Sequence, residues 1–188
     1  MTLPVAYLAP KAWYKAYLVR PEEVEIEGLE SFEKQTFRNR STIAKPSAIS
    51  CQPSERIILT VPVKKVEHKQ LTRDMEISYQ TRWQHQHWIS LVSAYTHTPF
   101  FDYYAEFFKP FYERETKWLW DLNSGLHETI MALLRNLSPT LSRGEGVKFA
   151  YKATTDWRGE ELNCFFGDGK SILDELFEFG PETTDHLR

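Results

Sequence analysis

Three cationic side chains lie close together in the segment EKQTFRNR, residues 33–40. If this segment is a strand, Lys34, Arg38 and Arg40 share one face, because side chains alternate along a strand. Neighbouring guanidinium groups on one face can bind a phosphate or a carboxylate through paired hydrogen bonds. The alternative is that glutamates of the preceding segment EVEIEGLE pair with the arginines across the sheet. We therefore expect these cations either to bind an anionic substrate or to form structural ion pairs.

Asn39 lies between the two arginines, and the same alternation places it on the opposite face together with Phe37. A position beside an aromatic side chain predicts that the amide is buried, and a buried amide needs hydrogen-bond partners. Those partners are either backbone groups or a ligand. In the second case Asn39 would orient a carbonyl or hydroxyl group of the substrate.

Two histidines, His85 and His87, lie in the segment WQHQHW. On a helix, side chains two positions apart diverge by about 200°, so the two imidazoles are not expected to bind one metal ion. His87 lies one turn before Leu91, at the edge of the predicted apolar stripe, and it is the candidate general base or hydrogen-bonding group. A structural role is its alternative. Trp83 and Tyr95, in the same region, would shape the pocket.

The sequence has no G-x-S-x-G elbow, P-loop or G-x-G-x-x-G motif. Its two cysteines, Cys51 and Cys164, receive no catalytic role. Asn123 lies near the leucine stripe of the longest predicted helix, so it is expected to face inward. The favoured role for this amide is to hold a neighbouring loop in place, and a ligand contact is the alternative.

The elements that position these residues change character along the chain. The first half contains alternating segments typical of strands, EVEIEG and MEISY, and the apolar run RIILTVPV, which predicts a strand covered on both faces. The second half has apolar residues at helical spacing. It predicts one helix around Trp88–Tyr95, a second capped by Thr98 and ended or bent by Pro110, a third over about 116–137, and a terminal helix capped by Ser171. The segment GVKFAYKA predicts one late strand.

This order of elements predicts a single α+β domain over residues 1–188, with a mixed sheet of mainly N-terminal strands packed against C-terminal helices. A three-layer α/β arrangement is the alternative. The polar tail after about residue 181 is expected to be frayed.

The composition excludes several classes of protein. The net charge of the 188 residues is -3 and no long basic run occurs, which argues against a dedicated nucleic-acid binder. Two cysteines indicate no disulfide framework. We find no signal-peptide pattern and no apolar stretch of the roughly 20 residues that span a bilayer. We expect a cytoplasmic protein without a metal or cofactor, and the oligomeric state stays open.

Several of these segments together resemble the WbqC-like protein family. They are YLAP, EKQTFRNRSTI, LTVPVKK, WQHQHWISLVSAYTHTPFFDYY, LWDLN and SILDELFEFGPE, and they extend from about Tyr7 to Gly180. Their combination is specific, because a Lys-Gln-x-aromatic-Arg-Asn-Arg run is followed by Val-Pro-Val and then by Trp-x-x-x-His with a Tyr-x-x-x-Pro-x-Phe tail. Ser41 departs from the pattern, since similar proteins often have a cysteine directly after the Arg-Asn-Arg run.

The resemblance implies a role in bacterial surface-polysaccharide (O-antigen) biosynthesis, with the transfer of an aminoacyl group to an amino sugar as the associated reaction. It implies a small-molecule substrate, either a nucleotide sugar or an amino acid donor. The cations would hold the anionic group of this substrate, and Asn39 and His87 would act in catalysis. The alternative is a non-catalytic carbohydrate- or protein-binding domain of the same family, so the sequence leaves open whether the protein is an enzyme.

Overall fold

The structure is a computed structural model that describes residues 2–19, 24–44, 56–65, 69–135 and 171–187. Strands occupy the N-terminal part and helices most of the remainder, so the predicted α+β class is confirmed. The strands are β1 (Thr2–Pro4), β2 (Glu25–Glu27), β3 (Arg40–Ala44) and β4 (Arg56–Thr60). The helices are α1 (Lys11–Val19), α2 (Trp83–Tyr95), α3 (Phe101–Glu113), α4 (Leu119–Leu134), α5 (Ile172–Phe179) and α6 (Thr183–His186).

The strands in the described ranges pair as two separate two-stranded sheets, not as one mixed sheet. β1 and β2 are parallel, and β3 and β4 are antiparallel. The predicted strand GVKFAYKA, like Cys51 and Cys164, falls outside the described residues, so its pairing stays a prediction. A hydrophobic cluster joins both sheets to the helices and forms the core.

β2 confirms the strand predicted in EVEIEG, but not all of its glutamates face water. Glu27 is 1% exposed, as little as its apolar neighbour Ile26. Its Oε1 atom accepts a hydrogen bond of 2.8 Å from the backbone N–H of Leu29. β2 is three residues long and a bend follows it, so the chain turns this carboxylate inward where strict alternation predicts solvent.

The chain forms a tight turn just before β3, which corrects the prediction that EKQTFRNR is extended. The backbone N–H groups of Asn39 and Arg40 both donate to the carbonyl of Thr36, at 3.1 and 3.0 Å. β3 therefore begins only at Arg40. Because Arg38 lies within the turn, the two arginines do not share a strand face.

Gln35, next to this turn, is a position where glycine is expected to be more stable than alanine. Its φ is 64°, in the left-handed region that residues with a Cβ occupy at a cost of about 1–2 kcal/mol. We expect Gln35→Gly to exceed Gln35→Ala in free energy of unfolding by about 1 kcal/mol, as measured by urea denaturation. Both variants lack the exposed glutamine side chain, so the pair isolates the backbone effect. Equal stabilities would show that the turn stores no such strain.

β3 and β4 form a ribbon with one buried and one open face. Ser41, Ile43 and Leu59 are buried on one side, whereas Ile58 on the other side is 62% exposed. The prediction that RIILTVPV is covered on both faces is therefore wrong for the described residues, because this ribbon buries only one face. Pro62 follows the end of β4, as its missing N–H predicts.

α2 buries two of the four side chains predicted for its apolar stripe, Leu91 and Tyr95, and it also buries Trp83 and His87. The buried side chains recur every four residues, and they are Trp83, His87, Leu91 and Tyr95. Trp88 and Val92, predicted in the stripe, are only half-buried. His85 is exposed, so the two imidazoles diverge as expected. His87 lies in the middle of the buried face and not at its edge.

α3 differs from its predicted ends. Thr98 does not cap it, because the Thr98 hydroxyl donates at 2.6 Å to the carbonyl of Tyr95 at the end of α2. Pro110 lies inside α3, which continues for three residues beyond it. Phe108 and Tyr112 are buried on either side of the proline. Their packing holds the last turn although the missing N–H removes one helical hydrogen bond.

α4 confirms the longest predicted helix, within the described residues, and explains its internal glycine. Its leucine stripe is buried as expected, from Leu119 onward. A Cβ atom added at Gly125 would lie 2.7 Å from Cε1 of Phe111, so α3 approaches α4 too closely for a side chain there. The glycine therefore offsets its cost to helix stability with a close contact.

The C-terminal segment is ordered as a helix and not frayed. The predicted cap of α5 is confirmed, since Ser171 Oγ accepts a hydrogen bond of 3.3 Å from the N–H of Leu173. Beyond residue 181, Thr183 is fully buried and Leu187 is 4% exposed. The Thr183 hydroxyl donates to the carbonyl of Gly180 at 2.7 Å. The polar composition of the tail did not reveal these two anchoring side chains.

Candidate functional site

A chain of buried hydrogen bonds joins α2 to the N-terminal segment, α3 and β4. Tyr7 Oη lies 2.9 Å from both His87 Nδ1 and Tyr112 Oη. The imidazole also hydrogen-bonds to the backbone of Thr60, to whose carbonyl it donates. With one ring nitrogen donating, the neutral imidazole accepts at Nδ1 the hydrogen bond that the Tyr7 hydroxyl donates. We call Tyr7, His87 and Tyr112, together with Asn39 and Asn123, the polar cluster.

His87 is neutral at physiological pH in this environment. Burial lowers the pKa of His87 to about 4, and the hydrogen bond to Thr60 opposes this shift only in part. Both ring nitrogens are occupied, and the residue is 5% exposed. A group with this pKa is a weak base at pH 7. The geometry therefore favours a role for His87 in fixing the Thr60 carbonyl over direct proton transfer.

Two amide side chains complete the polar cluster. Nδ2 of Asn39 donates to the carbonyl of Val61 at 3.0 Å, and Nδ2 of Asn123 donates to the carbonyl of Arg38 at 2.9 Å. The expectation that Asn123 holds a neighbouring loop is thus confirmed, and the Nδ2 group of Asn39 has a backbone partner. Among the described residues, neither Oδ1 atom has a hydrogen-bond partner although both are buried.

Arg38 is a structural residue. Its guanidinium is 1% exposed, and its Nε and Nη2 atoms donate to the two carboxylate oxygens of Glu30, both at 2.6 Å. Burial raises the pKa of Glu30, and the hydrogen bonds from Arg38 oppose that shift. The partner comes from the Glu-rich segment, as the structural alternative predicts. A substrate cannot reach this paired guanidinium, so the anion-binding role expected for Arg38 is corrected.

Arg40 and Lys34 are not enclosed in this way. Arg40 is half-buried and pairs in register with Thr60. Its Nε atom is buried without a hydrogen-bond partner in the part of the chain that the structure describes. Lys34 is exposed in the turn before β3. Their role in binding an anion stays a prediction.

Trp83 joins the polar cluster, and Tyr95 does not. The ring centroids of Trp83 and His87 lie 5.1 Å apart. Tyr95 follows Trp83 by more than three turns of α2, a distance of about 18 Å along the helix axis. Its hydroxyl donates to Asp174 at the start of α5, and its ring packs on Phe177 with centroids 4.8 Å apart. The structure thus gives Tyr95 a contact with α5 in place of the pocket predicted for it.

Ser41 is bound in a way that leaves no free nucleophile. Its hydroxyl donates to the carbonyl of Leu8 at 2.9 Å, and the residue is 8% exposed. Ser171 Oγ lies 3.2 Å from the same carbonyl. Leu8 has φ 45°, so the contacts hold a backbone conformation that is uncommon for leucine. The site of the family's cysteine is here a structural hydrogen-bond donor.

A cleft of about 540 Å³ is formed by segments that directly adjoin, in the sequence, those that hold the polar cluster. Its lining consists of residues 62–65, which follow β4, and of Ser78, Gln80 and Thr81, which precede α2. The two walls are tied by backbone hydrogen bonds of 2.8 Å, from Ser78 to Pro62 and from Lys64 to Glu76. The cleft therefore lies between the Val-Pro-Val segment and the segment that leads into Trp83.

The positive charge of the cleft lining comes from Lys64 and Lys65. Lys64 Nζ lies 2.6 Å from Oε2 of Glu76, and this hydrogen bond lowers the pKa of that carboxyl group. Lys117 Nζ lies 3.9 Å from the other carboxylate oxygen. Lys65 is exposed and forms no ion pair with another described residue. It contributes a positive charge that no neighbour in the described ranges offsets.

Within the described ranges, no group of three or more His, Cys, Asp or Glu side chains is arranged to hold a metal ion. The same residues include no helix with the length and apolar character needed to cross a bilayer.

The sequence interpretation missed Tyr7, Tyr112 and the two cleft lysines as site residues. A usable signal exists for three of them, because Tyr7 lies in the landmark YLAP and both lysines lie in LTVPVKK. Tyr112 gives no comparable signal, since it follows a run of phenylalanines and tyrosines most of which pack in or against the core.

The fold and the site together define the class: an α+β protein in which a buried polar cluster adjoins a lysine-lined cleft. The model of the WbqC-like protein family matches residues 28–157, and the chain belongs to that family. The matched region includes the turn before β3, both walls of the cleft and α2 to α4. It leaves out YLAP and SILDELFEFGPE. No curated protein and no solved structure matches the chain.

Proposed function

We propose that this protein is a cytoplasmic enzyme of bacterial surface-polysaccharide (O-antigen) biosynthesis that transfers an aminoacyl group to an amino sugar. Membership of the WbqC-like family supports the pathway. The observation that carries the proposal is the cleft, whose two walls both lie within the region that the family model matches. Its volume of about 540 Å³ lies in the range of roughly 300–1,000 Å³ usual for small-molecule sites.

In this proposal the polar cluster positions one wall of the cleft. His87 and Asn39 bind the carbonyls of Thr60 and Val61, which directly precede the cleft wall at Pro62. They are therefore positioning residues, and the side chains that line the cleft contact the substrate. Asn39 retains one unpartnered amide oxygen among the described residues, but that atom is buried, so it stays outside the proposed contact surface.

Arg40 and Lys34 supply further positive charge on this side of the protein in the proposal. Arg40 pairs in register with Thr60, two positions before Pro62. Its incompletely paired guanidinium suits it to the anionic part of a substrate that extends out of the cleft. Lys34 is exposed and contributes through the field at longer range.

A thermal-shift screen against nucleotide sugars, amino acids and uncharged oligosaccharides tests this proposal. A nucleotide sugar at a hundredfold excess over its Kd should stabilise the folded state by about 2.7 kcal/mol. Gln80→Trp places a large ring in the cleft and should abolish the shift. Gln86→Trp, the same change at an exposed position of α2, should preserve it.

The activity to be measured is transfer of a radiolabelled aminoacyl group from an ester or thioester donor to the amine of the bound amino sugar, with release of the donor's alcohol or thiol. Gln80→Trp should lose this activity as well. The proposal fails if no nucleotide sugar or amino acid stabilises the protein. It also fails if stabilisation is the same in Gln80→Trp and the wild type, because the ligand then lies outside the cleft.

A second candidate function is a non-catalytic carbohydrate-binding domain, and one observation favours it. Tyr103 of α3 is 72% exposed and lies beside the rings of Phe100 and Tyr104, which stack with centroids 6.0 Å apart. Exposed aromatic rings of this kind can stack on sugar rings. Stabilisation by oligosaccharides alone, lost in Tyr103→Ala but kept in Gln80→Trp, would establish this function in place of the enzyme.

A further inference from the structure

The polar side chains that line the cleft have one chemical property in common. Among the described residues, each of them can donate hydrogen bonds, and they are Lys64, Lys65, Ser78, Gln80 and Thr81. None of the described residues that line the cleft is acidic. Such a lining favours a ligand with several acceptor oxygens and a negative charge, because those oxygens can accept from several donors at once.

The two lysines are not equivalent. Lys64 is held by Glu76 at 2.6 Å, which offsets most of its charge. Lys65 has no carboxylate beside it within the described residues, so it supplies the attraction for an anion. Glu76 lies outside the lining and sets how much of the Lys64 charge the cleft presents.

The type of cation is compatible with a phosphate. The fork of an arginine matches carboxylate and phosphate alike, whereas lysine acts as a compact point charge that is a common ligand of phosphate groups. No arginine belongs to the described lining of this cleft. The hydroxyls of Ser78 and Thr81 and the amide of Gln80 add donors for phosphate oxygens.

We propose that the cleft binds the phosphate groups of a phosphorylated sugar, with Lys65 as the principal cation and Ser78, Gln80 and Thr81 as the hydrogen-bond donors. The identity of the sugar rests on the proposed function, whereas the contact with phosphate rests on the lining alone. The substrate class of the enzyme is then a sugar phosphate or sugar diphosphate, and the reaction that supplies it must attach phosphate to a sugar.

Isothermal titration of the full-length protein with pyrophosphate, UDP, glycine and N-acetylglucosamine tests this inference. Pyrophosphate and UDP should bind. Raising the salt concentration from about 0.05 M to about 0.5 M should weaken the binding of both ligands several-fold. Lys65→Gln should weaken both by about three- to tenfold. Gln80→Glu keeps the size of the side chain and adds a negative charge, so it should weaken them by about tenfold or more.

Two further variants sharpen the result. Glu76→Gln releases Lys64 and should tighten the binding of pyrophosphate by about two- to fivefold. Lys15→Gln removes an exposed lysine from α1, outside the cleft, and should leave the affinity unchanged. Tighter pyrophosphate binding in Glu76→Gln, together with weaker binding in Lys65→Gln and Gln80→Glu, cannot arise from a general loss of folding.

The outcomes separate this inference from the proposed function. The inference is overturned if glycine binds but pyrophosphate does not, or if Lys65→Gln and Gln80→Glu bind pyrophosphate as the wild type does. If a nucleotide sugar still binds with full affinity in those variants, the enzyme proposal stands and the phosphate contact is wrong. If pyrophosphate binds as expected but no aminoacyl transfer occurs, the phosphate site stands and the proposed reaction falls.

Discussion

Glu30→Ala is expected to lower the free energy of unfolding by about 3–5 kcal/mol, because it leaves the buried guanidinium of Arg38 without its carboxylate. The pair is almost fully enclosed, with side-chain exposures of 1% for Arg38 and 4% for Glu30. Glu33 approaches the same guanidinium only at 3.8 Å and is 52% exposed, so it offers weak compensation. Urea denaturation followed by tryptophan fluorescence measures the loss.

Two variants control this prediction. Glu30→Leu combined with Arg38→Met replaces both charges by apolar groups and should recover most of the stability, since no unpaired charge remains. Glu113→Ala removes an ion pair with Lys109 in which both side chains are more than half exposed, and it should cost less than about 1 kcal/mol. A Glu30→Ala protein as stable as Glu113→Ala would mean that the guanidinium finds water or another acceptor.

Acidification is expected to destabilise the protein strongly below pH 6.5. Burial lowers the pKa of His87 to about 4 and that of His127 to about 3, whereas histidine in an unfolded chain titrates near 6.5. The unfolded state therefore binds protons first. The stabilising contribution is complete above pH 6.5 and decreases as the pH falls towards the folded pKa values. At 1.36 kcal/mol per pKa unit, the loss is about 3 kcal/mol for His87 and about 5 kcal/mol for His127.

The slope of the unfolding free energy against pH measures this effect. Between about pH 4 and pH 6 the wild type should take up between one and two protons on unfolding through these two histidines, with the largest uptake at about pH 5. His127→Phe keeps an aromatic ring among Trp13, Tyr14 and Tyr17 and should halve the histidine part of the slope. An unfolding free energy that is flat over this window would mean that the imidazoles are hydrated in the folded state.

Periodic patterns predicted α2, α3, α4 and α5 and several of their details, but they did not reveal α1 or α6. The leucine spacing identifies α4, the Ser171 cap marks the start of α5, and the inward face of Asn123 follows from its angle to the stripe. These inferences succeed because a helix repeats over many residues, so one deviating position does not obscure the pattern. The small distance between Gly125 and Phe111 is predictable for a similar reason, since glycine inside a helix needs a compensating contact.

The site was less predictable, because it depends on contacts between distant segments. The turn before β3 separates Arg38 from Arg40, and only the fold shows that Glu30 lies within reach of Arg38. His87 has the spacing of a residue at the edge of a stripe, but Tyr7, 80 residues away in the sequence, hydrogen-bonds to it. Tyr112, 105 residues from Tyr7, hydrogen-bonds to Tyr7 in turn. The cleft lysines lacked any pattern that distinguishes a binding residue from a solvated one.

The hydrogen bonds that meet on the Leu8 carbonyl bear on where this domain has its natural boundaries. Ser41 lies inside the region that the family model matches, whereas Leu8 and Ser171 lie on opposite sides outside it. A gene fragment trimmed to the matched region would lack β1, α1, β2, α5 and α6, and much of the core would lose its cover. We therefore expect the smallest autonomous folding unit to be wider than the stretch by which relatives are recognised.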